Sequence, residues 1–164
     1  MRRFPLAPMA GLILWLTVLV LPLPLVMLWL GSMAGGALII AAFVAAVYLF
    51  IWLYMRPTWF NVSADGLEIE WPMRRANFPA SDIERVEEFT FRAFREQFGW
   101  GMRIGAGGLW GGFGLLKTRS VTFRFYISRL DRFVVIWRNS DRPLMLTPAD
   151  PTGFVQTLEA LTRP

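Results

Sequence analysis

The chain has 164 residues, 55% of them apolar and only 18% charged, with a net charge of +5. Cysteine and histidine are both absent, which excludes disulfides, thiolate nucleophiles, Cys/His zinc centres, His-ligated haem and any histidine general base. A site for a hard cation built from carboxylates alone is not excluded.

The shortage of charge is local. Residues 4–55 carry no Asp, Glu, Lys or Arg, whereas residues 56–164 hold 27 charged side chains, the density of an ordinary soluble domain. Two apolar runs, Gly11–Leu30 and Ala37–Met55, are each about 30 Å long as helices and so long enough to cross a bilayer. Gly31–Gly36 between them reads as a short turn, making residues 1–56 a transmembrane hairpin. Trp29, Trp52, Tyr54 and Trp59 stand where interfacial aromatic residues belong.

Pro22 and Pro24 each remove a backbone donor, so a kink is expected near Val18–Val20, with no charged residue nearby to make it a binding site. Ala37, Ala41 and Ala45 form a small-residue stripe suited to close helix packing, within the hairpin or against another subunit. A cleaved signal peptide is the rival reading of the start. Ser32–Ala34 resembles a cleavage site, yet the apolar core is too long and a second span follows at once.

Beyond Arg56–Pro57, residues 57–164 read as a separate domain. Trp59–Ser63 and Leu67–Trp71 make a hairpin about Ala64–Gly66, with Leu67, Ile69 and Trp71 facing inward. Ala76–Pro79, a strand from Ile83 through Arg92, and Val121–Ile127 follow. Phe133–Trp137 is apolar throughout, as in a strand buried on both faces. Leu144–Thr147 is a last short strand. Asp150 and Pro151 then start a helix that carries Phe154, Val155, Leu158 and Leu161 on one face. About seven antiparallel strands and a helix indicate a small mainly-β barrel or sandwich.

This domain resembles the bacterial pleckstrin-homology-like (PH-like) domains found behind two membrane spans. The residues carrying the likeness are Trp59, Phe60 and Val62; Asp65, Gly66, Leu67 and Ile69; Pro79, Asp82 and Ile83; Tyr126; Val134–Ile136; and Leu146, Pro148, Asp150, Pro151, Phe154, Val155 and Leu158. It extends over about residues 57–162. The resemblance implies a PH-like barrel of about seven antiparallel strands capped by its C-terminal helix, and it supplies no catalytic residue.

Gly99–Gly114 contains eight glycines in 16 residues. A phosphate loop does not fit, because Leu116 stands where a Walker motif needs glycine before Lys117 and Thr118. Two readings of the segment as a loop stay open. In one its aromatic residues tuck onto the barrel; in the other Trp100, Leu109, Trp110 and Phe113 enter the membrane interface. Arg92, Arg95, Arg103, Lys117 and Arg119 flank it, either as solvated partners of Glu87, Glu88 and Glu96 or as receptors for an anionic headgroup or partner. The cluster Glu84, Glu87 and Glu88 has no nucleophile or histidine beside it and reads as strand surface.

The expected function is therefore non-enzymatic, without cofactor or metal: a membrane-anchored binding or scaffold protein, or an accessory subunit of a larger membrane complex docked through the hairpin. The expected partners are the lipid bilayer and a membrane protein or second copy, not nucleic acid. The placement expected is a bacterial inner membrane, multi-pass, with both termini cytoplasmic. Arg2, Arg3 and Arg56 flank the spans while the turn is uncharged, so both ends should lie on the cytoplasmic side. A reporter fused after Pro164 should be active only as a cytoplasmic fusion, and activity as a periplasmic reporter would overturn this topology.

Overall fold

The computed structural model describes residues 1–31 and 37–162. The turn expected over Gly31–Gly36 lies, beyond its first residue, outside the described residues. Among those described, ten strands and five α-helices form a helical hairpin and a two-sheet domain.

The first apolar run is broken as its prolines require. Helix α1 spans Leu12–Val20 and α2 spans Leu23–Gly31. Pro24 cannot donate to the carbonyl of Val20, four residues earlier, and the hydroxyl of Tyr48 donates to that carbonyl instead, at 2.7 Å. The break thus does have a polar companion, supplied by the second span. That span is α3, Ala37–Phe50, ending in a π-helical turn over Ile51–Met55. Both runs satisfy the length and hydropathy of membrane helices, and most of their surface is exposed.

The expected Ala37–Ala41–Ala45 stripe is only partly used. Ala41 is buried, but Ala45 is exposed, as are Ala42 and Ala46. The packed face instead follows Ala41, Val44 and Tyr48, because Tyr48 must reach the broken turn.

Residues 2–5, expected only to flank the first span, form strand β1, Arg2–Pro5. It pairs antiparallel with β2, Trp59–Ser63, followed in the same sheet by β3, Gly66–Glu70, and β4, Arg75–Pro79. Gly66 closes the β2–β3 turn at φ +129°, where a Cβ would sit 2.2 Å from the Phe78 carbonyl oxygen. The second sheet has six strands: β5, Ile83–Thr90; β6, Met102–Gly107; β7, Gly112–Lys117; β8, Thr122–Ile127; β9, Arg132–Arg138; and β10, Leu144–Leu146. Their order is β5-β9-β10-β8-β7-β6.

Three expectations are corrected here. The sheets do not close into a barrel, and residues 57–162 hold nine strands rather than about seven, with β1 added from before the first apolar run. Nor are all pairs antiparallel: β10 inserts between β9 and β8 and runs parallel to β8. The strand expected to reach Arg92 stops at Thr90, whose hydroxyl accepts from the Ala93 N–H and caps helix α4, Phe91–Phe98. Alternation in Glu88–Arg92 imitates a strand, while Phe94 and Phe98 at i, i+4 mark the buried helical face.

The six-stranded sheet is buried on both sides, which explains the continuous apolar run in β9. Val134 and Ile136 face a core shared with the four-stranded sheet and with helix α5, Pro151–Thr162, through Phe154 and Leu158. Phe133 and Val135 face a second core with Phe123, Phe125 and the α4 residues Phe94 and Phe98. Leu67, Ile69 and Leu158 therefore lie in one core and Phe123 and Phe125 in the other, not all in one.

A buried ion pair pins the β9–β10 turn. The Arg138 guanidinium donates to Asp82 Oδ2 at 2.7 Å, and Ser140 N–H donates to Asp82 Oδ1 at 2.8 Å. Burial would raise the carboxyl's pKa, but the bonds from Ser140 and Arg138 outweigh it and hold the value below the ordinary range.

Two outcomes follow for the full chain in mild detergent. Phe125→Ala should lose about 3–5 kcal/mol in denaturant unfolding, as a fully buried phenylalanine does, and a loss below about 1 kcal/mol would contradict the burial. Asp82→Asn should cost about 3–5 kcal/mol at neutral pH. Because the folded carboxyl has the lower pKa, this contribution is full above the unfolded value of about 3.9 and disappears as pH falls through the folded value. Unfolding curves of wild type and D82N should accordingly converge in acid.

Candidate membrane-facing binding site

The domain is tied to the apolar helical hairpin at three places, and these ties fix which of its faces lies beside the two helices. The first precedes span one. Ala7 N–H donates to Thr147 O at 2.8 Å, Ala149 N–H to Pro5 O at 2.9 Å, and the buried Ser128 hydroxyl to Ala7 O at 2.6 Å. Arg2 and Arg3 reach Thr157, Asn61 and Glu70.

The second tie follows span two, where the last carbonyls of a helix lack partners. The β3–β4 turn supplies them. Trp71 Nε1 donates to Met55 O at 3.0 Å, Arg74 Nε to Tyr54 O at 2.9 Å and Met73 N–H to Leu53 O at 3.3 Å.

The third tie is made by the glycine-rich segment, which is not a flexible loop. Its residues form the β6–β7 hairpin, with Gly105 facing Gly114 across the ladder. Both glycines have φ near +140°, and a Cβ on either would lie 2.2 Å from a carbonyl oxygen of the opposite strand. Only glycine permits this approach.

The hairpin tip enters the helices. Thr17 stands about 8 Å along α1 from Leu12. Its oxygen accepts from Trp110 N–H at 2.9 Å, and its one hydroxyl proton lies between Ile13 O at 2.8 Å and Gly108 O at 3.0 Å. The Trp110 ring meets Trp52 edge-on at 4.9 Å and Tyr48 at 6.2 Å. Trp110 holds φ +57°, a strained value for a residue with a side chain, and these contacts maintain it. No charged residue lies between Arg103 and Lys117, so the tip suits this depth.

The residues singled out from the sequence therefore separate. Trp110 is occupied by the chain's own spans. Phe113 is fully buried in the domain core, so neither an exposed loop nor lipid contact describes it. Arg92 pairs with Glu96, and both are exposed. Glu87 binds Trp137 Nε1, and Glu88 pairs with Arg132, so neither partners the hairpin arginines. Lys117 and Arg119 are exposed, with no hydrogen bond or ion pair among the described residues.

Arg95, Trp100 and Arg103 do come together. They rim a cavity of about 380 Å³ under α4. The floor is apolar, formed by Phe94, Phe125, Ile127, Leu130, Phe133 and Met145, and Leu12 at the start of span one contributes to the wall. Trp100 is 74% exposed, and the Arg95 guanidinium lies 3.6 Å from its ring centroid. Arg103 has no acidic partner among the described residues, and no carboxylate lines the cavity. Sequence reasoning finds the rim but misses the floor, because it gives Phe91 and Arg92 to a strand and assigns no element to the rest of α4. The Thr90 cap, the Phe94/Phe98 spacing and Gly99 just past Phe98 were the signals available.

A two-sheet domain with a C-terminal helix, fastened to two helices long and apolar enough to cross a membrane, has the architecture of a PH-like protein. A family model for the bacterial PH domain matches residues 59–162, and the chain belongs to that family. No curated protein and no solved structure matches the chain.

The docking of the hairpin can be tested directly, because the chain has no cysteine of its own. A Cβ at Gly108 would lie 3.4 Å from Leu16 Cβ, close to the spacing of about 3.5–4.5 Å in disulfides. The double variant Leu16→Cys with Gly108→Cys should cross-link on mild oxidation, despite about 1–3 kcal/mol of strain at the positive φ of Gly108. Peptide mapping that finds both thiols free would refute the docking.

Proposed function

We propose that this is a non-enzymatic, membrane-anchored binding or scaffold protein, held in a bacterial inner membrane with both termini cytoplasmic. Its PH-like domain engages an anionic lipid surface or a protein partner beside the bilayer. The observation that carries this reading is the three-point attachment of the domain to its own spans. A domain on a loose linker would sample many orientations. Here the Arg95–Trp100–Arg103 rim is held beside Leu12, where span one begins, and so at the level of the headgroups. Arginine there can donate two parallel bonds to a phosphate, and tryptophan is at home in the interface. The strand β1 places the N-terminus in the same sheet as residues 59–79, which supports both ends of the hairpin lying on one side.

A second reading, an accessory subunit docked through the helices, is favoured by one observation. Ala42, Ala45 and Ala46 are exposed and leave a small-residue face of α3 unused by the hairpin. Migration of the native protein in mild detergent separates the two, since a large stoichiometric complex would favour the subunit reading.

For the surface reading, the full chain is the right material, because residues 57–164 alone would lack β1. Phe91→Cys, at the exposed edge of the rim, labelled with a polarity-sensitive dye should respond on transfer from phosphatidylcholine nanodiscs to discs containing phosphatidylglycerol. Combining it with Arg95→Gln and Arg103→Gln should remove most of that response, and an unchanged dye in wild type would end the lipid reading.

A further inference from the structure

The cavity under α4 is more than a rough spot beneath the arginine rim. Its volume lies within the range of ligand pockets, about 300–1,000 Å³, and its floor carries no hydrogen-bonding side chain. Its only charged lining residues are two arginines, both at the mouth. The polar and apolar parts are thus segregated: a cationic entrance and a dry interior.

We infer that this cavity takes one acyl chain of an anionic phospholipid drawn from the adjoining bilayer, with the phosphate held between Arg95 and Arg103. This rests on the surface reading above and deepens it by naming what enters and how. Three observations select the occupant. Leu12 belongs to both the cavity wall and the first turn of span one, so the cavity adjoins the point where acyl chains meet headgroups. A peptide helix would bring backbone and polar groups that this floor cannot satisfy, whereas a hydrocarbon chain asks for no partner. Third, Arg95 and Arg103 form no ion pair among the described residues, and Arg95 is steadied by the rings of Trp100 and Phe91 rather than by an acid. The site is therefore left with unneutralised positive charge, which an anionic headgroup complements.

The test uses the full chain in phosphatidylcholine nanodiscs doped with phosphatidylglycerol whose acyl chain carries a photoreactive diazirine near its end. After irradiation, digestion and mass spectrometry, adducts should appear on peptides containing Phe125, Ile127, Leu130 or Met145, besides those on the spans. Adducts confined to Leu12–Trp29 and Leu38–Met55 would overturn the proposal. Leu130→Trp, at a half-buried position on the cavity floor, should cut floor labelling about tenfold or more, the least effect expected when an apolar pocket is narrowed. Should that variant fold poorly, headgroup preference gives an independent measure. Phosphatidylglycerol should label the floor more than a phosphatidylcholine with the same chain, and Arg95→Gln with Arg103→Gln should abolish the difference. Equal labelling by both lipids in wild type would overturn the anionic assignment. The dye at position 91 separates the two levels. A normal dye response without floor labelling refutes the acyl-chain site and leaves the surface reading standing, while loss of the dye response refutes that reading as well.

Discussion

The hydrogen bond from the Trp110 backbone to Thr17 is the contact on which the arrangement of this protein turns. Thr17 is a lone hydroxyl in an otherwise apolar helix, and such a group needs a partner when water is excluded. The β6–β7 tip provides one, offering a backbone N–H and a carbonyl at the same oxygen. The Trp110 ring then fills the space against Tyr48 and Trp52, so one turn of chain binds both spans. With the tip fixed, the six-stranded sheet that continues from it is oriented relative to the two apolar helices.

The same rule governs the break in span one. Two prolines open the helix, and an open helix in an apolar medium leaves carbonyls unpaired. Tyr48 closes one of them, which sets the rotation of α3 against α1 and α2. That rotation decides which alanines are covered. Ala41 falls under the contact, and Ala45 turns away from it. At the other end of α3, the β3–β4 turn caps the last carbonyls. Each polar discontinuity of the hairpin is thus answered from across the structure, and the answers bind hairpin and domain together.

The cavity beneath α4 is a consequence of burying the central sheet on both faces. One face is covered by the second sheet and α5 over β5, β9, β10 and β8, while β6 at the edge keeps Met102 and Ile104 exposed. The other is covered by a helix of eight residues, which reaches Phe94 and Phe98 to the sheet but leaves an opening towards Gly99–Gly101. Arg95 sits one residue beyond Phe94 and so lines the edge of that opening. Arg103 faces it because alternation along β6 sends Met102 and Ile104 to the opposite side. A short helix over a wide sheet leaves an apolar gap, and at this edge the gap meets Leu12 at the start of the first apolar helix.

The sequence by itself determined what depends on local chemistry. The charge-free run marks two spans, the alternation of Leu67, Ile69 and Trp71 marks a strand face, and Asp150–Pro151 marks the start of α5, where Asp150 caps Gly153 as its type suggests. The continuous run in β9 correctly indicated burial on two sides. What the tertiary structure alone decided involves partners distant in the chain. Arg2–Pro5 becomes a strand only because β2 offers an edge 58 residues or so later, and nothing in a four-residue segment announces that. The glycines of the β6–β7 hairpin look like flexibility until Gly105 and Gly114 are seen facing carbonyls that a side chain would strike. Phe113 and Trp100, alike as exposed-looking aromatics in a glycine-rich run, end fully buried and largely exposed respectively. Phe113 is turned inward by its pairing in β7, whereas Trp100 lies in the connection before β6, and that pairing is fixed by long-range packing rather than by residue type.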